Sequence, residues 1–400
     1  MHKRLLSGLL LVMFALLGSG VLAQDAVNFV DSCVSDFDPN VDYFPDKAEV
    51  EYAAGFSVEY HNNYKLVSVQ PWPNAAEEEW QQYVLVQCGT PAPEDLADLP
   101  VIEVPVNRFV ATATTMLPHL EAQGVLDRLV GIDTVLYTNT QAVIERFENG
   151  ELVEVAPGGM GEINVEILID LEPDVVMAQQ FWSGGTTYSA LEEAGVPFVV
   201  NSDYADTSPL GQAEWGKYIS LFFNTEALAN EVFDGVAQRY NELVELVSTV
   251  EERPTAIAGS PYEGTWYVAA GDSCLAQLLA DAGADYIFAD VEGTSVPMDF
   301  EAVLEQGIDS DYWVNINQFW ATTDDMLAAD ERFAEFAAFQ NGNLWNNNLI
   351  MNANGGNAYF EAGVANPDQL LADLVAIFHP DLLPDHEFIY YQQLTSSAAE

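Results

Sequence analysis

Basic side chains are what this chain has least of. Eleven Lys plus Arg stand against 63 Asp plus Glu in 400 residues, for a formal net charge of −52. Lys3 and Arg4 sit at the very start, so nine basic side chains serve the rest. A surface of that sign repels nucleic acid and anionic lipid, which excludes both as partners. The acids are scattered rather than blocked, unlike a disordered acidic tail. They suit a solvated surface in salty surroundings; attraction of a cationic ligand or a basic partner is the functional alternative.

Cysteine is also scarce: Cys33, Cys88 and Cys274. In an exported protein Cys33 and Cys88 can pair as a disulfide, leaving Cys274 as a core thiol. The five histidines, His2, His61, His119, His379 and His386, contain no HExxH and no helical metal-ligand spacing. No Walker sequence, GxGxxG or GxSxG occurs, and the GGMG at 158–161 has the spacing of none of them. The run DFDPNVD (Asp36, Asp38, Asn40, Asp42) alternates like a calcium loop. It has Val41 where glycine is needed and Lys47 where the closing glutamate belongs, so it reads as a solvated acidic loop. No metal ligand set and no cofactor is expected.

What is present begins with a short polar start, His2 to Arg4, an apolar run from Leu5 to Leu17, and small or neutral residues through Ala23. This predicts a cleaved signal peptide over 1–23, the run being shorter than the ~20 residues of a membrane span. A lipid anchor needs a Cys just after the apolar run. The first is Cys33, preceded by Val30-Asp31-Ser32, so the expectation is a soluble periplasmic protein without a lipobox and without membrane insertion.

Residues 24–100 read as a β-rich segment. Strands are expected at Glu49–Tyr52, Phe56–Tyr60, Tyr64–Val69 and Tyr83–Gln87, with a hairpin turn at His61-Asn62-Asn63. From Val101 the pattern alternates strand and helix, which predicts a parallel sheet in an α/β lobe over 101–223. Asn164 caps a helix over about 164–171, Pro173 ends it, and a strand follows at Val175. One long helix is expected between 224 and 252. Leu228, Val232, Val236, Tyr240, Leu243 and Val247 mark its apolar face. The strand-helix pattern then restarts over 253–400.

The second half echoes the first. LPHLEAQGVLDRLVG (117–131) parallels LAQLLADAGADYIFA (275–289), and INVEILIDLEPDVVM (163–177) parallels MDFEAVLEQGIDSDYWV (298–314). The fold class is therefore α/β: two Rossmann-like lobes joined by a long rigid helix, with a β-rich N-terminal segment. Ligands of open α/β sheets sit beyond the carboxyl ends of the strands. In the first lobe the turn after Phe109–Ala113 carries Thr112 to Thr115 where a nucleotide enzyme would carry glycines. Aromatics recur at other strand ends, offering flat apolar contact with polar handles. The candidate ligand-binding residues are Thr114, Thr115, Tyr137, Phe181, Trp182, Tyr204, Tyr262, Trp266, Trp320 and Asn352. Tyr137, Tyr188, Tyr204, Tyr262 and Tyr359 are phenolate candidates for a bare ferric ion, without a matching His.

The segments NRFVATATTMLPHLEAQGVLDRLVGID, INVEILIDLEPDVVMA, GDSCLAQLLADAGADYIF and DQLLADLVAIFHPDLLPDHEFIYYQQL, in that order, resemble the substrate-binding proteins of bacterial ABC importers for iron complexes and vitamin B12. YAAGFSVEYHNNYKLVSV is similar to a preamble in some members. The resemblance implies no enzyme activity. It implies capture of a metal chelate (an iron(III)-siderophore, haem or cobalamin) between the lobes, and delivery by a monomer to an ABC permease in the inner membrane. It also implies a permease-docking glutamate on each lobe: Glu301 in MDFEAVL for the second, with Glu192 or Glu193 standing in for the first, where the matching position reads Thr187 or Tyr188. The alternatives are an exported α/β metal-dependent hydrolase, which needs a His or carboxylate cluster at strand ends, and a ligand-sensing or adhesion module without a permease.

Overall fold

The computed structural model describes residues 28–158, 163–179 and 186–397. The signal peptide expected over 1–23 and the pair Phe181-Trp182 lie outside the described residues.

The N-terminal part forms one four-stranded sheet: β1 (Phe56–Tyr60), β2 (Tyr64–Val69), β3 (Gln81–Gln87) and β4 (Val101–Val104), in that order. β1 and β2 pair antiparallel across the His61–Asn63 turn, from Phe56 opposite Val69 to Tyr60 opposite Lys65. Alternate residues of β2 are buried, as a sheet covered on one face requires. β4 runs parallel to β3, so Val101–Val104 completes this sheet although the strand-helix pattern starts at the same residue. Cys33 is disulfide-bonded to Cys88, with Cα atoms 4.9 Å apart.

The expected strand at Glu49–Tyr52 does not form. Its backbone N–H groups go instead to a buried carboxylate: Glu214 accepts from Glu51, Tyr52 and Ala53, while Asp206 accepts from Ala54. Glu214 also meets Lys217 at 3.0 Å. Charge-assisted bonds of this kind are stronger than a neutral ladder bond, so the chain follows the acids rather than a strand partner.

The first lobe is a five-stranded, all-parallel sheet in the order β7-β6-β5-β8-β9. Its strands are β5 (Phe109–Ala111), β6 (Leu129–Ile132), β7 (Val153–Glu154), β8 (Val175–Gln179) and β9 (Phe198–Asn201). Helices α1 (Leu117–Ala122), α2 (Gln141–Glu148), α3 (Val165–Leu171) and α4 (Thr186–Ala194) alternate with them. Asn164 caps α3 as expected, its side chain accepting from Glu166 and Ile167 N–H. A further helix, α5 (Pro209–Ser220), has every residue but Gln212 buried. It holds Trp215 and Tyr218 against Phe56 of β1, at ring separations of 5.1 and 5.3 Å, and so fastens the N-terminal sheet to the lobe. Such a helix is buried all round, with Glu214 and Lys217 paired inside, and leaves no one-sided stripe to read in sequence.

The linking helix α6 runs Glu226–Val247, 22 residues, about 33 Å. Its buried face is Ala229, Phe233, Val236, Ala237, Tyr240 and Val247. Leu228 and Val232, expected on that face, lie on the exposed flank at 38% and 36% exposure. The apolar steps of four drift around a 3.6-residue turn, and packing selects the later positions.

The second lobe holds β10 (Thr255–Ala258), β11 (Pro261–Tyr262), β12 (Thr265–Ala269), β13 (Asp285–Tyr286), β14 (Ser295–Asp299), β15 (Tyr312–Val314), β16 (Leu344–Asn346) and β17 (Gln392–Gln393). Its main sheet has the order β13-β10-β15-β16-β17, parallel except at β17, and β11-β12-β14 form a separate antiparallel sheet. The order β6-β5-β8-β9 in the first lobe matches β13-β10-β15-β16 here, which is the internal echo in three dimensions. Helices α7 (Cys274–Asp281) and α8 (Phe300–Gly307) correspond to α1 and α3. Gly124 after α1 and Gly283 after α7 both take positive φ, 68° and 82°, the left-handed cap that an L side chain resists. A Cβ on Gly283 would also meet His379 at 2.6 Å.

Candidate functional site

A cavity of about 810 Å³ opens between the lobes, at the carboxyl ends of both parallel sheets. Ala113, Thr114 and Thr115 follow β5, Asp133 follows β6, Gln179 ends β8, and Asp203 and Tyr204 follow β9. Asn315 and Gln318 follow β15, and Asn347 follows β16. Cys274, Leu275 and Leu278 come from α7, and Pro209 and Gln212 from α5. Tyr359, Phe360, Gly363, Val364, Pro367 and Leu370 close the wall. The first lobe thus supplies both carboxylates, hydroxyls and the amides of Gln179 and Gln212, the second further amides and an apolar face.

Asp133 is mostly buried, and one carboxylate oxygen, Oδ1, has no hydrogen-bond partner among the described residues. Burial pushes its pKa up to about 7; N–H groups at Thr134 and at Asp133 itself pull it down, and the charge of Glu154 pushes it further up. Asp203 is buried, accepting from Gln179 Nε2 and Tyr204 N–H, both at 2.8 Å. Burial raises its pKa, against these bonds and the neighbouring Thr115 hydroxyl. Thr115 Oγ1 faces that carboxylate without the geometry of a formed hydrogen bond. Burial holds the Tyr204 and Tyr359 phenols up at about 12, as it does the Cys274 thiol, whose rise Asp206 and Asp281 reinforce. None of these three ionises near neutrality. Cys274 Sγ lies 3.6 Å from Gln212 Oε1.

No basic side chain reaches the cavity among the described residues. Beyond Arg4, eight of the nine are paired with carboxylates. Lys47 meets Asp42, Lys65 meets Glu226, Arg128 meets Asp31, Arg146 meets Glu151, and Lys217 meets Glu214. Arg239 meets Asp368, Arg253 meets Asp285, and Arg332 meets Glu301 and Asp330. The ninth, Arg108, donates to the carbonyls of Leu171 and Glu172. Nor does a histidine line the cavity. His119 is buried elsewhere, its pKa pushed down to about 4 by burial, and His386 is bonded to Asp373. No group of three His, Cys, Asp or Glu fit to hold a metal occurs among the described residues.

The lobes are clasped at one edge of the cavity. Glu361 accepts from the hydroxyls of Thr138 and Thr140 and from the N–H groups of Asn139 and Thr140, just before α2. Asn352 donates to the carbonyls of Leu136 and Thr138, both at 3.0 Å, and accepts from Asn354 and Gly356 N–H.

Of the residues expected from sequence, Thr114, Thr115, Tyr137 and Tyr204 line the cavity. Three aromatics are corrected. Trp266 is fully buried in the second-lobe core, its Nε1 donating to Ala258 O and its ring 5.6 Å from Trp313. Tyr262 is 70% exposed on the β11–β12 hairpin. That hairpin intervenes between β10 and α7, so the residues after β10 do not form the short strand-end loop expected of them. Trp320 packs on Phe333 at 5.7 Å and does not line the cavity. Asn352 is spent on the clasp. Glu301 and Glu192 are exposed, on the first turn of α8 and on α4. Sequence reasoning missed Asp133, Asp203, Gln179, Asn315, Gln318 and Asn347. Their signal, a polar residue within a few positions of a strand's carboxyl end, was there to read; the aromatics drew attention instead. Tyr359 stood out only as a phenolate candidate.

Two strand-end-to-strand-end lobes around a shared cavity, joined by a helix spine, define a two-lobed ligand-binding protein. The periplasmic binding protein family matches residues 110–346, more than half of the chain, and the chain belongs to that family. It is a family of binding proteins rather than of enzymes. Among solved structures the fold is similar to a possible iron-binding (periplasmic solute-binding) protein of Staphylococcus epidermidis, with TM-score 0.54 and 17% identity over 68% of this chain and 98% of that one. It is likewise similar to a periplasmic heme-binding protein of Pseudomonas aeruginosa, with TM-score 0.52 and 19% identity over 69% and 93%. Two uncharacterized lipoproteins of Methanocaldococcus jannaschii are 23% and 24% identical, over 98% and 87% of this chain and 97% and 90% of their own. Their names correct one expectation. The position of Cys33 predicts a soluble periplasmic protein with no lipid anchor, whereas both relatives are lipoproteins. The unanchored form does not stand, because the spacing of one cysteine from one apolar run was all that carried it.

Proposed function

We propose that this protein is the substrate-binding component of an ABC importer. It captures a metal chelate of the iron(III)-siderophore, haem or cobalamin type between its lobes and hands it to a membrane permease. In this reading 1–23 is its export signal and 24–100 braces the first lobe. The lobes 101–223 and 253–400 flank the link 224–252, the chain acts as a monomer, and Glu301 and Glu192 meet the permease. The observation that carries the reading is the cavity at the strand ends of both lobes. Its volume suits a compact ligand, and its amides, hydroxyls and aromatic rings suit the oxygen-rich edge and flat faces of a chelate.

A thermal-shift screen with haem, cobalamin, several ferric siderophores and free metal ions tests it. A true ligand at 100 times its Kd stabilises by about 2.7 kcal/mol, and a chelate is expected to produce that rise. Silence from every chelate far above such concentrations overturns the reading.

A further inference from the structure

We infer that the cavity selects a ligand of neutral to positive charge. A hydrogen-bond donor or ammonium group of that ligand meets Asp133 and Asp203 on the first lobe, and its apolar side packs on Val364, Leu370 and Leu278 of the second. This rests on the reading of the cavity as the ligand site and narrows the class of ligand it holds.

The first ground is charge. The cavity wall contains two carboxylates and no Lys, Arg or His among the described residues. All the basic side chains beyond Arg4 are committed elsewhere. An anionic ligand entering would lose its hydration and find no counter-charge, and above about pH 7 it would face the Asp133 carboxylate, of its own sign. Among the described residues the positive features of the wall are helix N-termini, at Thr114–Thr115 before α1, at α5 and α7, and at Pro367 of the helix Pro367–Phe378, each worth roughly half a charge at best. At α5 and α7 a serine cap takes one of these N–H groups, Ser208 accepting from Gly211 N–H and Ser273 from Ala276 N–H.

The second ground is an open valence. Asp133 Oδ1 is buried and unpartnered, and so is Thr115 Oγ1. A buried acceptor without a partner is rare and costly. A donor on the ligand would satisfy it. The other titratable groups of the wall, Tyr137, Asp203, Tyr204, Cys274 and Tyr359, supply no cation. Glu154, bonded to Thr134 and to Val135 N–H beside Asp133, adds a further negative charge.

The test is a fluorescence titration at 1 M salt, where screening over about 3 Å removes the pull of the acidic surface. The probes are a ferric trihydroxamate bearing a free ammonium group, its N-acetylated neutral form, and an anionic ferric tris-catecholate. A cationic and an anionic apolar fluorophore without metal complete the set. The expected order is cationic, then neutral, with the anion weakest. In Asp133→Asn the cationic probe should weaken by roughly thirtyfold or more, and in Asp133→Asn/Asp203→Asn the order should vanish, with melting curves checking that both variants fold. An anionic probe binding as tightly as the cationic one overturns the inference. So does a cationic preference that survives the double variant, which would place it on the surface. If the fluorophores show the preference and no chelate binds, the chelate reading fails and the charge selection stands.

Discussion

Glu361 and Thr140 face each other across the lobes. The Glu361 carboxylate takes both the backbone N–H of Thr140, at 2.9 Å, and its hydroxyl. Thr140 is the N-cap of α2, so a charge from one lobe sits at the positive end of a helix in the other. Glu361 is 1% exposed, and its oxygens also serve Thr138 and Asn139. Glu361→Gln puts an N–H donor where these donors converge. It should lower unfolding free energy by about 2–4 kcal/mol, read by chemical denaturation, and weaken ligand affinity. X-ray scattering should show a larger radius of gyration; an unchanged radius with lost stability would mean that the clasp supports folding but does not set the lobe angle.

Closure on binding should be small. The α6 helix packs along α5 in the first lobe and along the helix Pro367–Phe378 in the second, with Arg239 on α6 bonded to Asp368. Bending it would break backbone hydrogen bonds. Scattering with and without a bound chelate should give nearly superimposable profiles, and a wide hinge motion would contradict the spine.

Asp133 sets a pH dependence. Its pKa, held up at about 7 by burial, lies above the ordinary carboxyl value. The folded state therefore binds more protons between about pH 4 and 7, and the stability this group contributes falls across that window as pH rises. Asp133→Asn should be more stable than the parent at pH 8 by about 2–4 kcal/mol, the difference closing below about pH 4. Parallel denaturant curves at pH 4 and 8 decide it. A ligand cation needs the charged form, so its affinity should rise with pH through about 7 in the parent and lose that slope in the variant.

Thr115 presents an unsatisfied hydroxyl to the cavity. Replacing Thr114 and Thr115 together by Val should weaken chelate binding while changing the melting temperature little. The hydroxyl removed at 115 makes no formed hydrogen bond and loses only its place beside the Asp203 carboxylate. Unchanged affinity would make the turn purely structural.

Lys65 and Glu226 form a fully buried pair, with Lys65 also donating to Leu221 O and Asn224 Oδ1, 4.6 Å from the Phe44 ring. It joins β2 to the start of α6. Lys65→Met should cost about 3–5 kcal/mol by stranding a charge, and Lys65→Met/Glu226→Leu should recover much of it. A double-mutant cycle measures the difference.

The alternation of strand and helix and the cap at Asn164 were legible because each is a local rule with a local signature. β1 and β2 were readable to the residue for the same reason. Failures came where tertiary contacts overrode a local pattern: Glu49–Tyr52 lost to the Glu214 carboxylate, and α5 had no stripe because both sides are covered. At the cavity, the strand-end rule pointed to the end of each sheet where the cavity opens and to Thr114, Thr115, Tyr137 and Tyr204 on its wall. It could not say that Trp266 turns into the core on a hairpin.

By itself, then, the sequence determined the two-lobed α/β plan and the family, and its shortage of basic residues determined that few cations could exist anywhere in the molecule. Tertiary structure decided where those few went. Pairing Lys65 with Glu226, Arg128 with Asp31 and Arg239 with Asp368, none of them on the cavity wall, and leaving Asp133 and Asp203 on it, depends on contacts between residues scores of positions apart. No periodicity records such contacts, because periodicity describes one element's face and a cavity is made by the meeting of many. The Thr-rich turn at 112–115, without the glycines that hold a phosphate, takes its meaning from that meeting: it stands beside acids, where a phosphate would be repelled.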